Sequence, residues 1–159
     1  MTECHPITTP LNSNIKLDKT SDDAKPALPQ LVHEYSTVIS SLNFAAITTR
    51  LDLKYTVHKL SQFMNNPSLI YWTVAKYALH YIKGTLNLDI TYLPSNLDSH
   101  SYSDVNWGTN LINRRSVLGY AIMFREGTIS WYLKKQSIVT LSTIEAEYMV
   151  LNNTTCECL

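Results

Sequence analysis

The stretch LSTIEAEYMVL, Leu141–Leu151, places two glutamates, Glu145 and Glu147, at the start of a helical pattern. Ser142 stands three residues before Glu145, which is the spacing of a capping box. In that motif the serine caps the first turn and the glutamate reaches back toward it. A carboxylate in the first turn also suits the positive end of the helix dipole. The pattern therefore predicts a helix that begins at Ser142, and it gives Glu145 a structural role.

Glu147 lies on a different side of this predicted helix. With about 100° between successive residues, Ile144, Tyr148 and Leu151 form an apolar stripe that should pack on a sheet. Glu147 falls about 60° to one side of that stripe. Glu147 is either a solvated residue at the boundary of the stripe or a residue whose carboxylate points to the edge of the sheet. From the helix alone, the solvated residue is the simpler interpretation.

The segment before this helix has an alternating pattern that is typical of strands. Four runs predict strands, and residues 94–98 and 125–127 predict turns between them. The runs are LNLDITYLP (86–94), HSYSDVNW (100–107), SVLGYAIMF (116–124) and TISWYLKKQ (128–136). A β meander therefore leads into the helix at Ser142.

Helical periodicity dominates the chain before the meander. Ser68 is placed to cap the third of three predicted helices at its start, and Gly84 is placed to cap it at its end. Residues 1–30, interrupted by four prolines, predict an extended lead-in. The apolar stripes are Tyr35, Val38, Ile39, Leu42 and Ala46, then Leu53, Val57, Leu60 and Met64, then Trp72, Ala75, Leu79 and Ile82.

These patterns predict an α/β (α+β) protein with three regions. Residues 1–30 are the lead-in, residues 31–93 are mostly helical, and residues 94–159 contain the meander and the last helix. No internal repeat or low-complexity tract interrupts this order.

Composition limits the classes of function. The 159 residues contain 13 basic and 13 acidic side chains, which does not indicate a generic basic nucleic-acid-binding protein. Cys4, Cys156 and Cys158 lie near the chain ends and form no disulfide framework, which suits a reducing compartment. No run reaches the ~20 apolar residues of a membrane span. We therefore expect an intracellular protein, cytoplasmic or nuclear, that has no membrane partner.

A second carboxylate is a candidate for chemistry. Asp104 stands in a run of high strand propensity, where aspartate is disfavoured unless it has a purpose. One carboxylate on a strand and one on the helix packed against it, here Asp104 and Glu147, could together hold Mg²⁺, which prefers oxygen ligands. The alternative is a strand-end aspartate that forms a turn with Asn106. Spacing alone leaves both open.

Two parts of the chain resemble a known family. YSDVNWGTNLINRRSVLGYAIMFREGTISWYLKKQSIVTLSTIEAEYMVL (102–151) resembles the ribonuclease H domain of copia-type LTR retrotransposon Pol polyproteins. PITTPLNSNIKL (6–17) and YSTVISSLNFAAITTRLDLKYTVHKLSQFMNNPSLIYWTVAKYALHYIKGTLNLDITY (35–92) resemble the end of the reverse transcriptase and the connection that follows it. The resemblance covers nearly the whole chain in the family's order.

The resemblance implies a ribonuclease H-like fold and hydrolysis of the RNA strand of RNA–DNA hybrids, with Mg²⁺ or Mn²⁺ as cofactor. Asp104 matches the family's first catalytic aspartate. Glu147, rather than Glu145, matches its catalytic glutamate, and both Asp104 and Glu147 would be metal ligands. Four basic residues would meet hybrid phosphates or simply form a solvated face: Arg114, Arg115, Lys134 and Lys135.

The chain also departs from the family pattern. Family members present two further acidic residues on later elements, and the paired aspartates of the polymerase lie upstream. We therefore expect a polyprotein fragment, comprising a reverse transcriptase tail and an incomplete ribonuclease H-like fold, that is inactive without the rest of the polyprotein. The alternatives are a non-catalytic module that binds nucleic acid or a protein partner, and a translated remnant with no stable fold.

Overall fold

The computed structural model describes residues 5, 7–12, 15, 17, 26–94, 98–106 and 115–158. The chain divides into two compact units between Asp89 and Ile90. The first unit is helical, and the second contains the sheet and the last helix. No bilayer-spanning helix is found in the described part of the chain.

The first unit consists of three α-helices and a short 3₁₀ turn. Helix α1 spans Pro29–Thr48, the 3₁₀ turn Leu51–Leu53, α2 Lys54–Ser61 and α3 Leu69–Gly84. Pro29 opens α1, where its missing N–H would have had no partner in the helix. The boundaries confirm three helices where the periodicity predicted them.

The stripes predicted for α1 and α2 form the core of this unit. Their buried members are Tyr35, Ile39, Leu42, Ala46, Leu53, Val57 and Leu60. Burial raises the pKa of the Tyr35 hydroxyl, which donates to the Leu60 carbonyl at 2.8 Å and so is not left unsatisfied. Leu11, Ile15 and Leu17 also pack against this core. Part of the predicted extended lead-in is therefore packed on the helices.

The most buried face of α3 lies beside the predicted one. Its buried residues are Tyr71, Val74, Ala75, Ala78 and Tyr81, of which Ala75 belongs to the predicted stripe. The other members of that stripe are partly buried and pack against the same core: Trp72, Leu79 and Ile82. The sequence of α3 is apolar on nearly every side, so periodicity could not select the face. Stacking of Tyr71 on Phe63, with ring centroids 3.8 Å apart, and the small side chains of Ala75 and Ala78 favour the observed face.

The ends of α3 also differ in detail from the prediction. Ser68 occupies the N-cap position, but its side chain makes no capping hydrogen bond. Gly84 is the last helical residue rather than the cap. Thr85 takes that position, and its N–H donates to the Ile82 carbonyl at 3.1 Å. The Thr85 hydroxyl, which donates to the Tyr81 carbonyl at 2.8 Å, supplies a hydrogen bond that glycine lacks.

Arg50 links the end of α1 to the end of α3. Its guanidinium donates to both carboxylate oxygens of Asp52, with the shortest distance at 2.8 Å. It also donates to the carbonyl and the hydroxyl of Thr85, at 3.1 Å and 2.6 Å. The same group lies 5.4 Å from the centroid of the Tyr81 ring. The hydrogen bonds with Asp52 raise the pKa of Arg50.

The second unit confirms the meander and the helix that follows it. Strands β1 (Ser99–Asn106), β2 (Val117–Phe124) and β3 (Gly127–Lys135) form an antiparallel sheet in the order β1-β2-β3. Helix α4 spans Thr143–Cys158. Within the described residues the architecture is thus a mixed α/β one.

The strand predicted over LNLDITYLP is wrong. Residues 88–93 join no sheet, and Leu86 and Leu88 are exposed. Instead, the Leu93 N–H donates to the Arg125 carbonyl at 3.1 Å, and the Tyr92 hydroxyl donates to the Thr128 carbonyl at 2.9 Å. The second half of the alternating run packs on the β2–β3 hairpin. Of the predicted turn 94–98, residues 95–97 lie outside the described residues.

The β2–β3 hairpin turns through two residues with left-handed backbone. Arg125 and Glu126 have φ angles of 48° and 65°, as in the type I′ turns that match the twist of paired strands. Gly127 follows, and a Cβ atom there would lie 2.6 Å from Cε1 of Tyr92 and 3.0 Å from the Thr91 carbonyl oxygen. Only glycine leaves room for Tyr92 at this position.

Candidate functional site

Ser142 and Glu145 fix the first turn of α4, as the capping pattern predicted. The Glu145 N–H donates to the Ser142 hydroxyl at 3.1 Å. A Glu145 carboxylate oxygen accepts from the Leu141 N–H at 2.7 Å, one residue before the cap rather than at the cap itself. The Ser142 hydroxyl and the Glu145 carboxylate therefore both accept hydrogen bonds from the backbone at the start of α4. Glu147 has no such capping role.

We expect Ser142→Ala to lower the free energy of unfolding by about 1 kcal/mol, because the Glu145 N–H loses its acceptor. The measurement is chemical denaturation followed by circular dichroism. Thr143→Ala, one residue along and exposed, is the matched control and should change stability by less than about 0.5 kcal/mol. Equal losses in the two variants would contradict a capping role for Ser142.

Helix α4 covers one face of the sheet. Its buried residues are Ala146, Val150 and Thr154, and Leu118 and Ile122 are buried on β2. The predicted stripe was wrong, because Ile144, Tyr148 and Leu151 are more than half exposed; smaller side chains let the helix lie close to the strands. Three rows of side chains, each with one residue from β1, β2 and β3, form the helix-covered face. They are Ser101, Ile122 and Ser130, then Ser103, Tyr120 and Tyr132, then Val105, Leu118 and Lys134.

Contacts at the far end of α4 support this assignment of the face. The Ser130 hydroxyl donates to a Glu157 carboxylate oxygen at 3.3 Å. Burial, and to a smaller extent the Glu157 carboxylate, raises the pKa of Tyr120. Ser130, Tyr120 and Glu157 therefore meet between α4 and the sheet.

Glu147 lies in an open cleft between α4 and the edge strand β1. The cleft has a volume of about 460 Å³, and Glu147 itself is exposed. Sequence reasoning missed the part played by Tyr148 and Leu151, whose helical spacing predicted burial instead. The lining residues are Ser103, Thr143, Ile144, Glu147, Tyr148 and Leu151.

Asp104 lies on the opposite face of the sheet. Successive side chains of a strand point to opposite faces, so Asp104 is directed away from the side that Ser103 shares with α4. Its cross-strand partner is Gly119, and Asp104 does not line the cleft. The structure thus does not bring Asp104 and Glu147 together. No group of three potential metal ligands is found among the described residues.

The predicted basic residues do not share one surface. Arg114 lies outside the described residues, as does Trp107. Arg115 is exposed just before β2, Lys134 is exposed on the helix-covered face, and Lys135 points to the other face. Contact of these residues with phosphates stays a prediction, as does the catalytic assignment of Asp104 and Glu147.

The chain is similar in sequence to transposon proteins. No protein-family model and no solved structure matches it. The chain is 34% identical over 158 residues to the retrovirus-related Pol polyprotein from transposon TNT 1-94 of Nicotiana tabacum, covering 97% of this chain and 12% of the relative. It is 37% identical over 158 residues to the corresponding polyprotein from transposon RE1 of Arabidopsis thaliana, covering 99% and 10%. The chain thus spans roughly a tenth of these polyproteins.

A shorter relative carries a different name. The chain is 33% identical over 124 residues to the secreted RxLR effector protein 161 of Plasmopara viticola, covering 77% of this chain and 87% of the relative.

Proposed function

Because the chain belongs among the retrovirus-related Pol polyproteins of transposons, we propose that it joins the end of a copia-type reverse transcriptase to the front of a ribonuclease H-like domain. The parent activity is hydrolysis of the RNA strand of RNA–DNA hybrids. The observation that carries this proposal is the second unit, in which a three-stranded meander with Asp104 on its edge strand leads into a helix with Glu147 in its first turns. The partners are the hybrid and the rest of the polyprotein.

The described residues do not fit the metal site that this activity requires. Mg²⁺ takes near-octahedral oxygen coordination and dehydrates reluctantly, so it needs carboxylates that converge. Asp104 and Glu147 lie on opposite sides of the sheet, and no third carboxylate accompanies either of them among the described residues. We therefore propose that the chain alone does not cleave hybrids. Activity would require carboxylates from other parts of the polyprotein and a different packing of β1 against α4.

The test places this chain in the tobacco TNT 1-94 polyprotein in place of the matching segment and measures cleavage of a labelled hybrid in Mg²⁺ and in Mn²⁺. We expect Asp104→Asn and Glu147→Gln each to reduce cleavage by at least about a hundred-fold, since loss of a ligand should exceed the loss seen for outer-shell groups. Glu145→Gln is the matched control and should retain cleavage, because that carboxylate only caps the helix.

Three outcomes would contradict the proposal. Equal effects of Glu145→Gln and Glu147→Gln would remove the catalytic assignment of Glu147. If the chimera is inactive while the tobacco polyprotein is active, the parent activity does not apply to this chain. Cleavage by the isolated chain that Asp104→Asn abolishes would show that the site assembles without further residues.

A non-catalytic nucleic-acid-binding module is the second candidate. The opposed carboxylates favour it, since a chain that does not assemble the metal site can still bind through the cations at one end of the sheet, Arg115 and Lys135. Binding through these cations would weaken steeply with added salt, because phosphate contacts release counterions.

A further inference from the structure

The sheet face opposite α4 carries an ordered row of side chains. The register aligns Tyr102 of β1, Ala121 of β2 and Trp131 of β3, and in the next row Asp104, Gly119 and Leu133. Directly paired residues of neighbouring strands lie on the same face. We call these two rows the open face: Tyr102, Asp104, Gly119, Ala121, Trp131 and Leu133.

The open face has the shape of a trough. In these two rows its central strand presents small residues, Gly119 and Ala121, and Val117 and Met123 follow on the same face. Tyr102 and Trp131 stand on the strands to either side, which lie about 10 Å apart. The trough narrows at Gly119, where an added Cβ would lie 3.0 Å from Cδ1 of Leu133.

Tyr102 of the open face is not needed to fill a core, whereas Trp131 is half-buried. Leu118 and Ile122, the buried hydrophobic residues of the described strands, belong to the helix-covered face. Tyr102 is 60% exposed. The ring of His100 meets the Tyr102 ring edge to face, with centroids 6.3 Å apart, and so limits the directions that this exposed ring can take. An exposed, oriented aromatic ring beside a small-residue floor is suited to receive a flat ligand.

The charges of the open face select the class of ligand. Lys135 lies on the same face as Trp131, four residues further along β3, and Arg115, two residues before the start of β2, lies at the same end of the sheet. Asp104 is the carboxylate of this face. It would repel a phosphate near β1, so a polyanion would run along the β3 side toward Lys135. Flat rings joined by phosphates match this arrangement.

We propose that the open face binds single-stranded nucleic acid by stacking a base between Tyr102 and Trp131 over Ala121, with the adjoining phosphates toward Lys135. The inference rests on the proposed function only for the class of ligand. It requires no metal and no cleavage, and it concerns the side of the sheet that Glu147 does not reach. Stacking of this kind tolerates every base, because each base has a flat face.

The test measures fluorescence anisotropy of a labelled oligothymidylate of about ten nucleotides with the full chain and without divalent metal. We expect Tyr102→Ala to weaken binding roughly ten-fold, as loss of one stacked base does, and Tyr102→Phe to retain it. Ala121→Val, which fills the floor and keeps both aromatics, should weaken binding by a similar factor. Tyr132→Ala removes an exposed tyrosine from the helix-covered face and is the matched control, with binding unchanged. Circular dichroism confirms the fold of each variant.

Several results would overturn the inference. Equal losses in Tyr102→Ala and Tyr132→Ala, or loss on replacement of Lys135 but not of Tyr102, would show binding by charge alone. Self-association of the chain that Tyr102→Ala abolishes would show that a second copy occupies the face. If the oligothymidylate does not bind while the chimeric polyprotein cleaves hybrids, the open-face site is absent and the proposed function stands. If the oligothymidylate binds and Tyr102→Ala weakens that binding, while the chimeric polyprotein does not cleave hybrids, the open-face site stands and the proposed function is contradicted.

Discussion

Replacement of Arg50 by alanine is expected to lower the free energy of unfolding of the helical unit by about 3 kcal/mol. Only a tenth of the Arg50 side chain is exposed, and its removal leaves the half-buried Asp52 carboxylate and the Thr85 carbonyl without their donor. Breaking a buried ion pair from one side typically costs about 3–5 kcal/mol, and the partial exposure of Asp52 places this case at the lower end. Urea denaturation followed by circular dichroism measures the loss.

Two variants separate the ion pair from general effects of losing a cation. Arg50→Lys keeps the charge but not the two-pronged geometry, so we expect it to recover less than half of the loss. Lys76 lies over the Trp72 ring at 5.7 Å but is exposed, and Lys76→Ala should cost less than about 1 kcal/mol. A loss in Lys76→Ala equal to that in Arg50→Ala would contradict a special role for the buried pair.

The same pair gives stability a defined dependence on pH. Burial alone would raise the pKa of Asp52, but hydrogen bonds from Arg50 and Tyr81 outweigh burial and hold the pKa below its ordinary value of 3.8. Folding therefore favours the ionised form, and the stabilisation is complete above that value and lost as the pH falls through the lowered pKa. The difference between the wild type and Arg50→Ala should accordingly shrink below about pH 4.

Gly127→Ala is expected to lower the stability of the second unit by about 2 kcal/mol. The new Cβ would overlap the Tyr92 ring and press on the Thr91 carbonyl, and relief of such overpacking costs about 1–3 kcal/mol. Tyr92 would leave the hairpin, and its hydrogen bond to Thr128 would be lost with it. Thermal unfolding followed by near-ultraviolet circular dichroism, which senses the packing of tyrosine, measures both effects.

Gly119→Ala is the matched control, because its Cβ would lie 3.0 Å from the flexible end of the Leu133 side chain and 3.4 Å, an ordinary contact distance, from the Tyr132 carbonyl oxygen. We expect a change within about 0.5 kcal/mol, helped by the smaller backbone entropy that alanine loses on folding. If the clash with Tyr92 is the cause, Gly127→Ala should cost much less in a Tyr92→Ala background, since contacting residues are not additive. Equal costs in both backgrounds would assign the effect to the backbone of the turn.

Elements with one decisive local signal could be predicted from the sequence. The stripe of Tyr35, Ile39 and Leu42 and the capping pair Ser142 and Glu145 each admit a single low-energy arrangement. Where two arrangements satisfy the same pattern, the prediction was incomplete or wrong. Helix α3 is apolar on nearly all sides, so its predicted stripe packs only partly against the core, and close packing around Tyr71 selected the face that is fully buried. The alternating run before Pro94 met the hairpin through Tyr92 rather than joining the sheet.

The candidate site was less predictable than the fold. Spacing identifies Asp104 as a strand residue and Glu147 as a helix residue, but it does not state which face of the strand the helix covers. A shift of one residue in register moves every side chain to the other face, and the choice depends on the packing of Ala146 and Val150 against β2. Three-dimensional packing, rather than residue type, therefore decides whether the two carboxylates meet.

The order β1-β2-β3 leaves one long side of β1 and one of β3 without a partner strand in the described part of the chain. Such rows of unpaired amide and carbonyl groups are templates for aggregation. Strand β3 carries Lys134 and Lys135 near its end, whose charges repel a second copy, whereas β1 contains no lysine or arginine and its one carboxylate is Asp104. Sheet extension between molecules should therefore begin at β1. The solubility of the chain at high concentration then depends on whether the free edge of β1 is covered.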